Sequence, residues 1–375
     1  MKILRASAYV MVMILVLVDR VPADDLQKLV KPLLSVGPGG LGSESAAEAW
    51  RKLIQVDASR LADVIMSLDD SSPLASNWIR TAVDAIAERE LRSGGHLHLA
   101  ELEALVLDRT HSPRARRLAY ELIARGDTTA KARLIPGMLD DPSLELRYDA
   151  VAQLIDRGMR LTDDKRDVKR TVFGQAFRAA RDIDQIKLLV AELKQLGVEV
   201  DLPRHFGFII SWKLIGPFDN VDGKGYGIAY PPEHNVDFKE ECQGKHKILR
   251  WIDYTTDDDY GLVDLNKVFE KEKNVVAYAA AEFFVETGQK VQFRTTSLNA
   301  VKLWLNGELI DQHEIYHCGS HLDQYVCGGQ LRLGQNVLLL KICQNDQPQS
   351  WANSWGWQLR VCDENGTGKL STDRK

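Results

Sequence analysis

Two periodicities divide the chain. Up to about residue 200, apolar residues recur at helical spacing. Leu61, Val64, Ile65 and Leu68 make one stripe; Leu99, Leu102, Leu105 and Val106 make another. Breakers interrupt at short intervals, among them Ser71-Ser72-Pro73, Gly94-Gly95, Ser112-Pro113 and Asp141-Pro142. Ser112 and Asp141, each ahead of a proline, suit helix N-caps with proline in the first helical position. Residues 24–200 are therefore expected to form short antiparallel helices. From Pro203 the period changes to two. Val291 to Thr295 and Val301 to Leu305 alternate, while Val337 to Cys343 and Trp355 to Cys362 are further strand-like runs. Asn306-Gly307 reads as a two-residue hairpin turn. Short strands with Gly and Asn turns predict an antiparallel β-sandwich over 203–365, followed by a disordered tail at 366–375. The expected fold class is multidomain, an α-helical domain followed by an antiparallel β-sandwich.

Residues 1–23 stand apart. Lys2 and Arg5 precede an uninterrupted apolar run of 13 residues, Ala6 to Val18, and Val21-Pro22-Ala23 puts small residues ahead of Asp24. A signal-peptide core runs about 7–15 residues, whereas crossing a bilayer takes about 20. An export signal cleaved after Ala23 is expected, with no membrane span after cleavage and a periplasmic or secreted destination.

The helical half repeats itself. Arg116, Ala119 and Ile123 in SPRARRLAYELI align with Arg147, Ala150 and Leu154 in PSLELRYDAVAQLI, an offset of 147 − 116 = 31. The run LIPGMLDDPSLELRYDAVAQLI resembles a HEAT repeat: an apolar first helix, an Asp-Pro turn, then Arg three residues before Ala. In the second half, SWKLIGPFDN, KLWLNGELI and LRLGQNVLLLKICQN ahead of WGWQLRVCD resemble a galactose-binding-like jelly roll of secreted bacterial proteins. Such sandwiches accompany glycosidases, and proteins that combine one with HEAT-like helices are mostly of unknown function. The resemblance implies a stacked helical surface for a protein partner and a sandwich for a glycan or cell-envelope polymer.

Charge and composition narrow the chemistry. The 375 residues are 45% hydrophobic and 27% charged, which fits a folded chain. Forty-eight Lys and Arg against 53 Asp and Glu give −5, so no global basic field points to nucleic acid. A mean hydropathy of −0.24 argues against multiple membrane spans. His313-Glu314-Ile315-Tyr316-His317 matches the H-E-x-x-H of zinc peptidases. There the two His occupy successive turns of one helix, but here the motif follows the Asn306-Gly307 hairpin in strand and loop surroundings. Gly319 is one position early for the extended motif, although Asp323 falls at its last position. His313, His317 and Asp323 are thus the residues a metal site would use, and a zinc hydrolase or a glycosidase is the alternative to binding. Asp219 to Gly223 lacks EF-hand spacing; no cofactor is expected beyond a structural calcium there or at Asp257-Asp258-Asp259.

Binding chemistry concentrates late in the chain. Trp351 sits in the polar stretch QNDQPQSWANSW, where an indole can stack on a sugar ring while amides bind hydroxyls. Tyr316, His317, Asp323, Gln324 and Asn345 are candidates for the same rim. All five Cys lie in the second half, and Cys343 with Cys362 is the disulfide candidate if their strands pair. The leading expectation is a non-catalytic exported binding protein; a purely structural interaction protein is the third reading. N-terminal sequencing of the exported protein should return Asp24, and a chain still beginning at Met1 would defeat the cleavage expectation.

Overall fold

The computed structural model describes residues 23–374. The expected signal lies outside the described residues except for Ala23, where the first helix opens (Ala23–Leu34). Helices fill the N-terminal part and antiparallel sheets the C-terminal part. No helix among the described residues is long and apolar enough to cross a membrane.

The chain divides into two compact units, Met1–Gln153 and Leu154–Lys375. This division falls inside the helix Leu144–Met159, well before residue 200. The helices Arg166–Ala179, Ile183–Gln195 and Leu202–Phe206 therefore group with the sheets. Side-chain bonds explain this. Arg181 donates to Thr367 Oγ1 at 3.0 Å, and Arg360 donates to the Phe206 carbonyl at 3.2 Å.

In the first unit, the apolar stripes pack into one cluster running from Leu26 to Ala150. Ser72 and Ser112 cap the helices Pro73–Arg92 and Pro113–Gly126 by accepting from Ala75 and Ala115 N–H. Asp141 behaves differently from expectation. The helix after it starts at Leu144 and Ser143 Oγ accepts from Leu146 N–H, so Ser143 is the cap. Asp141 instead takes both terminal nitrogens of Arg116 at 2.7 Å, and its Oδ1 also accepts from Ser143 N–H. Both side chains of this pair are fully buried. The positions aligned by the repeat share this burial: Arg116 and Arg147 are enclosed, as are Ala119 and Ala150, where small side chains let helices approach.

The second unit contains strands Ser211–Asp219 (β1), Cys242–Gln243 (β2), Ile248–Leu249 (β3), Ile252–Thr255 (β4), Val263–Asp264 (β5) and Val275–Val285 (β6). Gln289–Ser297 (β7), Ala300–Leu305 (β8), Glu308–His313 (β9), Tyr325–Leu331 (β10), Gly334–Gln344 (β11) and Gly356–Cys362 (β12) complete it. One sheet runs β4-β1-β6-β11-β8-β9, a second β10-β7-β12-β5, and, among the described residues, β2 pairs only with β3. Trp212, Ala277 and Leu340 of the first join Phe293, Trp357 and Leu359 of the second in one buried cluster. The hairpin between β8 and β9 turns on Asn306 and Gly307, both with positive φ, as a two-residue turn between twisted strands requires.

The six-stranded sheet is buried on its other face too. Tyr278, Trp304 and Cys343 pack there against Tyr226, Cys242 and Leu249, which come from the segment between β1 and β4. The C-terminal residues are not a free tail. Lys369 N–H donates to the Val361 carbonyl, Thr372 N–H to Phe284, and the Arg374 guanidinium to the Phe208 carbonyl.

Removing one partner of a buried ion pair strands the other in a dry site. Asp141→Ala should therefore lower the unfolding free energy of the helical unit by about 3–5 kcal/mol, measured by chemical denaturation. The double variant Arg116→Met/Asp141→Leu should lose clearly less. Equal losses in the two variants would show that the pair itself, and not the stranded charge, sets the cost.

Candidate functional site

The loops 314–324 and 345–355 meet at one end of the sheets. His317 N–H donates to the Leu298 carbonyl at 2.6 Å, and His317 Nε2 donates to Asn345 Oδ1 at 3.1 Å. Trp351 meets the His317 ring edge to face, with centroids 5.9 Å apart and planes at 82°. The indole nevertheless remains 58% exposed, so a ring is fixed in place and open to solvent. Tyr316 OH accepts from Asn220 Nδ2 at 3.4 Å, and burial pushes the phenol up to about 12, so it stays protonated at neutral pH. His317 thus touches both Trp351 and Asn345, and the Tyr316 ring lies 6.4 Å from that of His317.

Buried amides that sequence reasoning missed hold these loops. Gln344 Oε1 accepts from Asn299 Nδ2 and from Asn345 N–H, while its Nε2 donates to the carbonyls of Ala352 and Ser354. Asn299 also donates to Ser354 and accepts from Gly356 N–H. Asn220 donates to the Gln344 carbonyl. All three side chains are fully buried. The one sequence signal for them was the polar end of the β11 run, Gln344-Asn345, directly after an apolar strand.

Beside these loops lies a cleft of about 470 Å³. Ser320, Asn353 and Gln358 contribute hydroxyl and amide groups to its lining, with Lys271 also lining it, while Trp355 and Trp357 belong to the apolar part, which is the larger. Three polar atoms at this end are buried without a hydrogen-bond partner, His317 Nδ1, Trp357 Nε1 and Asn220 Oδ1.

Two expected rim residues are employed elsewhere. Asp323 forms a two-point pair with Arg360, at 2.6 and 2.5 Å, and also takes Arg294 at 2.8 Å. Arg360 and Arg294 sit on facing positions of β12 and β7, so Asp323 clamps the four-stranded sheet and does not share the rim with Trp351. Gln324 bonds Tyr325 OH at 2.9 Å and accepts from Ser297 N–H at 3.3 Å, which fastens its own loop to β7.

The H-E-x-x-H run is not helical. His313 ends β9, stacks on Tyr325 at 3.7 Å and bonds Asp311 at 2.9 Å. His317 lies in the following loop with φ of 53°. The two imidazoles have separate partners, and Asp323 is committed to arginines. No group of three or more His, Cys, Asp or Glu side chains suited to a metal occurs among the described residues. In the acidic runs considered for calcium, Asp222 pairs with Lys224, and Asp258 Oδ1 accepts from Tyr260 and Leu262 N–H.

The disulfide expectation is also corrected. Cys343 and Cys362 are both free thiols. Their strands do not pair: β11 lies between β6 and β8 in one sheet, and β12 between β7 and β5 in the other. Burial pushes the Cys343 thiol up to about 12.

No family model matches the chain, and no curated protein matches it in sequence. Among solved structures, it is similar to a beta-glucuronidase of an uncultured Clostridium sp. at 10% identity and a TM-score of 0.26, covering 42% of this chain and 29% of that one. An FMN-binding beta-glucuronidase from Facaelibacterium prausnitzii L2-6 matches at 13% identity and 0.21, covering 40% of this chain and 20% of that one. A beta-glucosidase from Kluyveromyces marxianus matches at 10% and 0.25, covering 79% and 37%. The chain spans less than a third of the two glucuronidases, and likeness at these values assigns it no activity.

The Asp323 clamp makes acid stability testable. Burial works to raise this carboxyl, but the hydrogen bonds and charges of Arg360 and Arg294 outweigh it and hold the group below its ordinary 3.8. A carboxyl depressed in the folded state contributes stability that is complete above the unfolded value and is lost as pH falls below it. Asp323→Asn should therefore destabilise the second unit at pH 6 and shrink the loss of stability between pH 6 and pH 3, as read from urea midpoints. An unchanged difference between the two pH values would refute this role.

Proposed function

We propose that this chain is a non-catalytic exported binding protein. In this reading the two sheets are a galactose-binding-like sandwich that holds a glycan or cell-envelope polymer at the end carrying Trp351. The N-terminal helices are a HEAT-like stack for a protein partner. The observation that carries the glycan reading is the exposed Trp351 indole, held edge-on by His317, which is bonded in turn to Asn345; Asn345 bonds Gln347 at 3.2 Å. An aromatic face presents apolar surface to the C–H face of a sugar, and neighbouring amides both donate to and accept from its hydroxyls. The ring's position costs little on binding because the loop beneath it is already fixed.

Trp351→Ala should weaken binding of an array-identified glycan several-fold, since one aromatic contact beyond plain burial is worth on the order of 1 kcal/mol. Because the ring is mostly exposed, thermal unfolding should hardly move. A large fall in melting temperature would mark Trp351 as structural, and unchanged affinity with unchanged stability would remove it from the site.

A further inference from the structure

On the glycan reading above, we infer that the ligand is an oligosaccharide of at least two sugars, one ring stacked on Trp351 and the next seated in the neighbouring cleft. Trp351 offers a face and no concavity, whereas the cleft is a half-open concavity, mainly apolar, with the exposed Ser320, Asn353 and Lys271 among its lining. The two are parts of one surface. Trp351 and Asn353 belong to the same 3₁₀ turn, Ser350–Asn353, and at about 2 Å rise per residue they stand about 4 Å apart along it. His317, under the indole, is bonded to Leu298, which lines the cleft.

The cleft volume of about 470 Å³ falls in the range of ligand pockets. That is room for about 16 waters at about 30 Å³ each, ample for one sugar ring. A sugar that filled it would still leave the Trp351 face bare, because Trp351 is not part of the cleft lining. The Ser320 hydroxyl and the Asn353 and Gln358 amides of the cleft each donate and accept, which suits sugar hydroxyls.

The full exported chain would be screened on an array carrying mono-, di-, tri- and tetrasaccharides of several common glycan types. Calorimetric titrations with the best series would follow. Affinity should rise at least about tenfold from the monosaccharide to the di- or trisaccharide. Asn353→Ala and Lys271→Ala, both at exposed cleft positions, should reduce the oligosaccharide to monosaccharide affinity while leaving the monosaccharide and thermal unfolding unchanged. Trp351→Ala should weaken every member of the series. Equal affinity for monosaccharide and oligosaccharide, or a length dependence untouched by the cleft variants, would overturn the two-part site while leaving glycan binding in place. Absence of binding to every arrayed glycan would overturn both.

Discussion

The buried side chain of Gln344 sets the geometry of the loop end of the sheets. An amide has two acceptor and two donor positions, and Gln344 spends all four on Asn299, Asn345, Ala352 and Ser354. Leaving one such group unpaired in a dry site costs about 1–3 kcal/mol, so the loop cannot wander without losing several bonds together. The 345–355 loop thereby behaves as an extension of β11 and not as a flexible connection. Trp351 projects from this rigid base, and its exposure is a fixed property of the fold.

A second polar hub acts on the far face of the same sheet. Lys341 Nζ donates to the carbonyls of Tyr226 and Ile228 and pairs with Glu233 at 2.7 Å. Tyr278 OH donates to the same Glu233 oxygen, and the rings of Tyr230 and Tyr278 lie 5.6 and 5.7 Å from the ammonium. Burial pulls the lysine below its ordinary value, and Glu233 works against that shift. Such a charge is tolerable because every donor has an acceptor. The segment between β1 and β4 is thus pinned over the sheet, which explains why Tyr278 and Cys343 are buried on the side opposite the shared core.

That second layer also explains what the sequence did not disclose. Strand β7, with one covered face, alternates in burial and was legible, as were β8 and the Asn306-Gly307 turn that follows it. Strand β6, VVAYAAAEFFV, was not found: both its faces are buried, so no alternation marks it, and its alanines favour no strand reading. Helical stripes and the Ser112 cap were legible because they depend on near neighbours in sequence. Asp141 and Asp323 misled for the opposite reason. Their partners, Arg116 and the pair Arg294 and Arg360, lie 25 or more residues away, and nothing local distinguishes a clamp from a cap or a binding rim. The candidate cluster of Trp351, His317 and Asn345 could be read from composition, but the amides that fix it could not, since each is an isolated polar residue until the strands bring them together.

The distribution of thiols provides an optical handle on this region. Cys242, Cys343 and Cys362 are buried and Cys327 is half-buried, while Cys318 is exposed. Burial raises all four of the shielded thiols, which keeps them protonated and slow toward electrophiles. A maleimide dye added under native conditions would therefore collect at Cys318, one residue from the His317 ring that supports Trp351. The wild-type chain can in this way carry a fluorophore next to its candidate site with no engineered cysteine, and indole quenching of that dye would follow the loop directly.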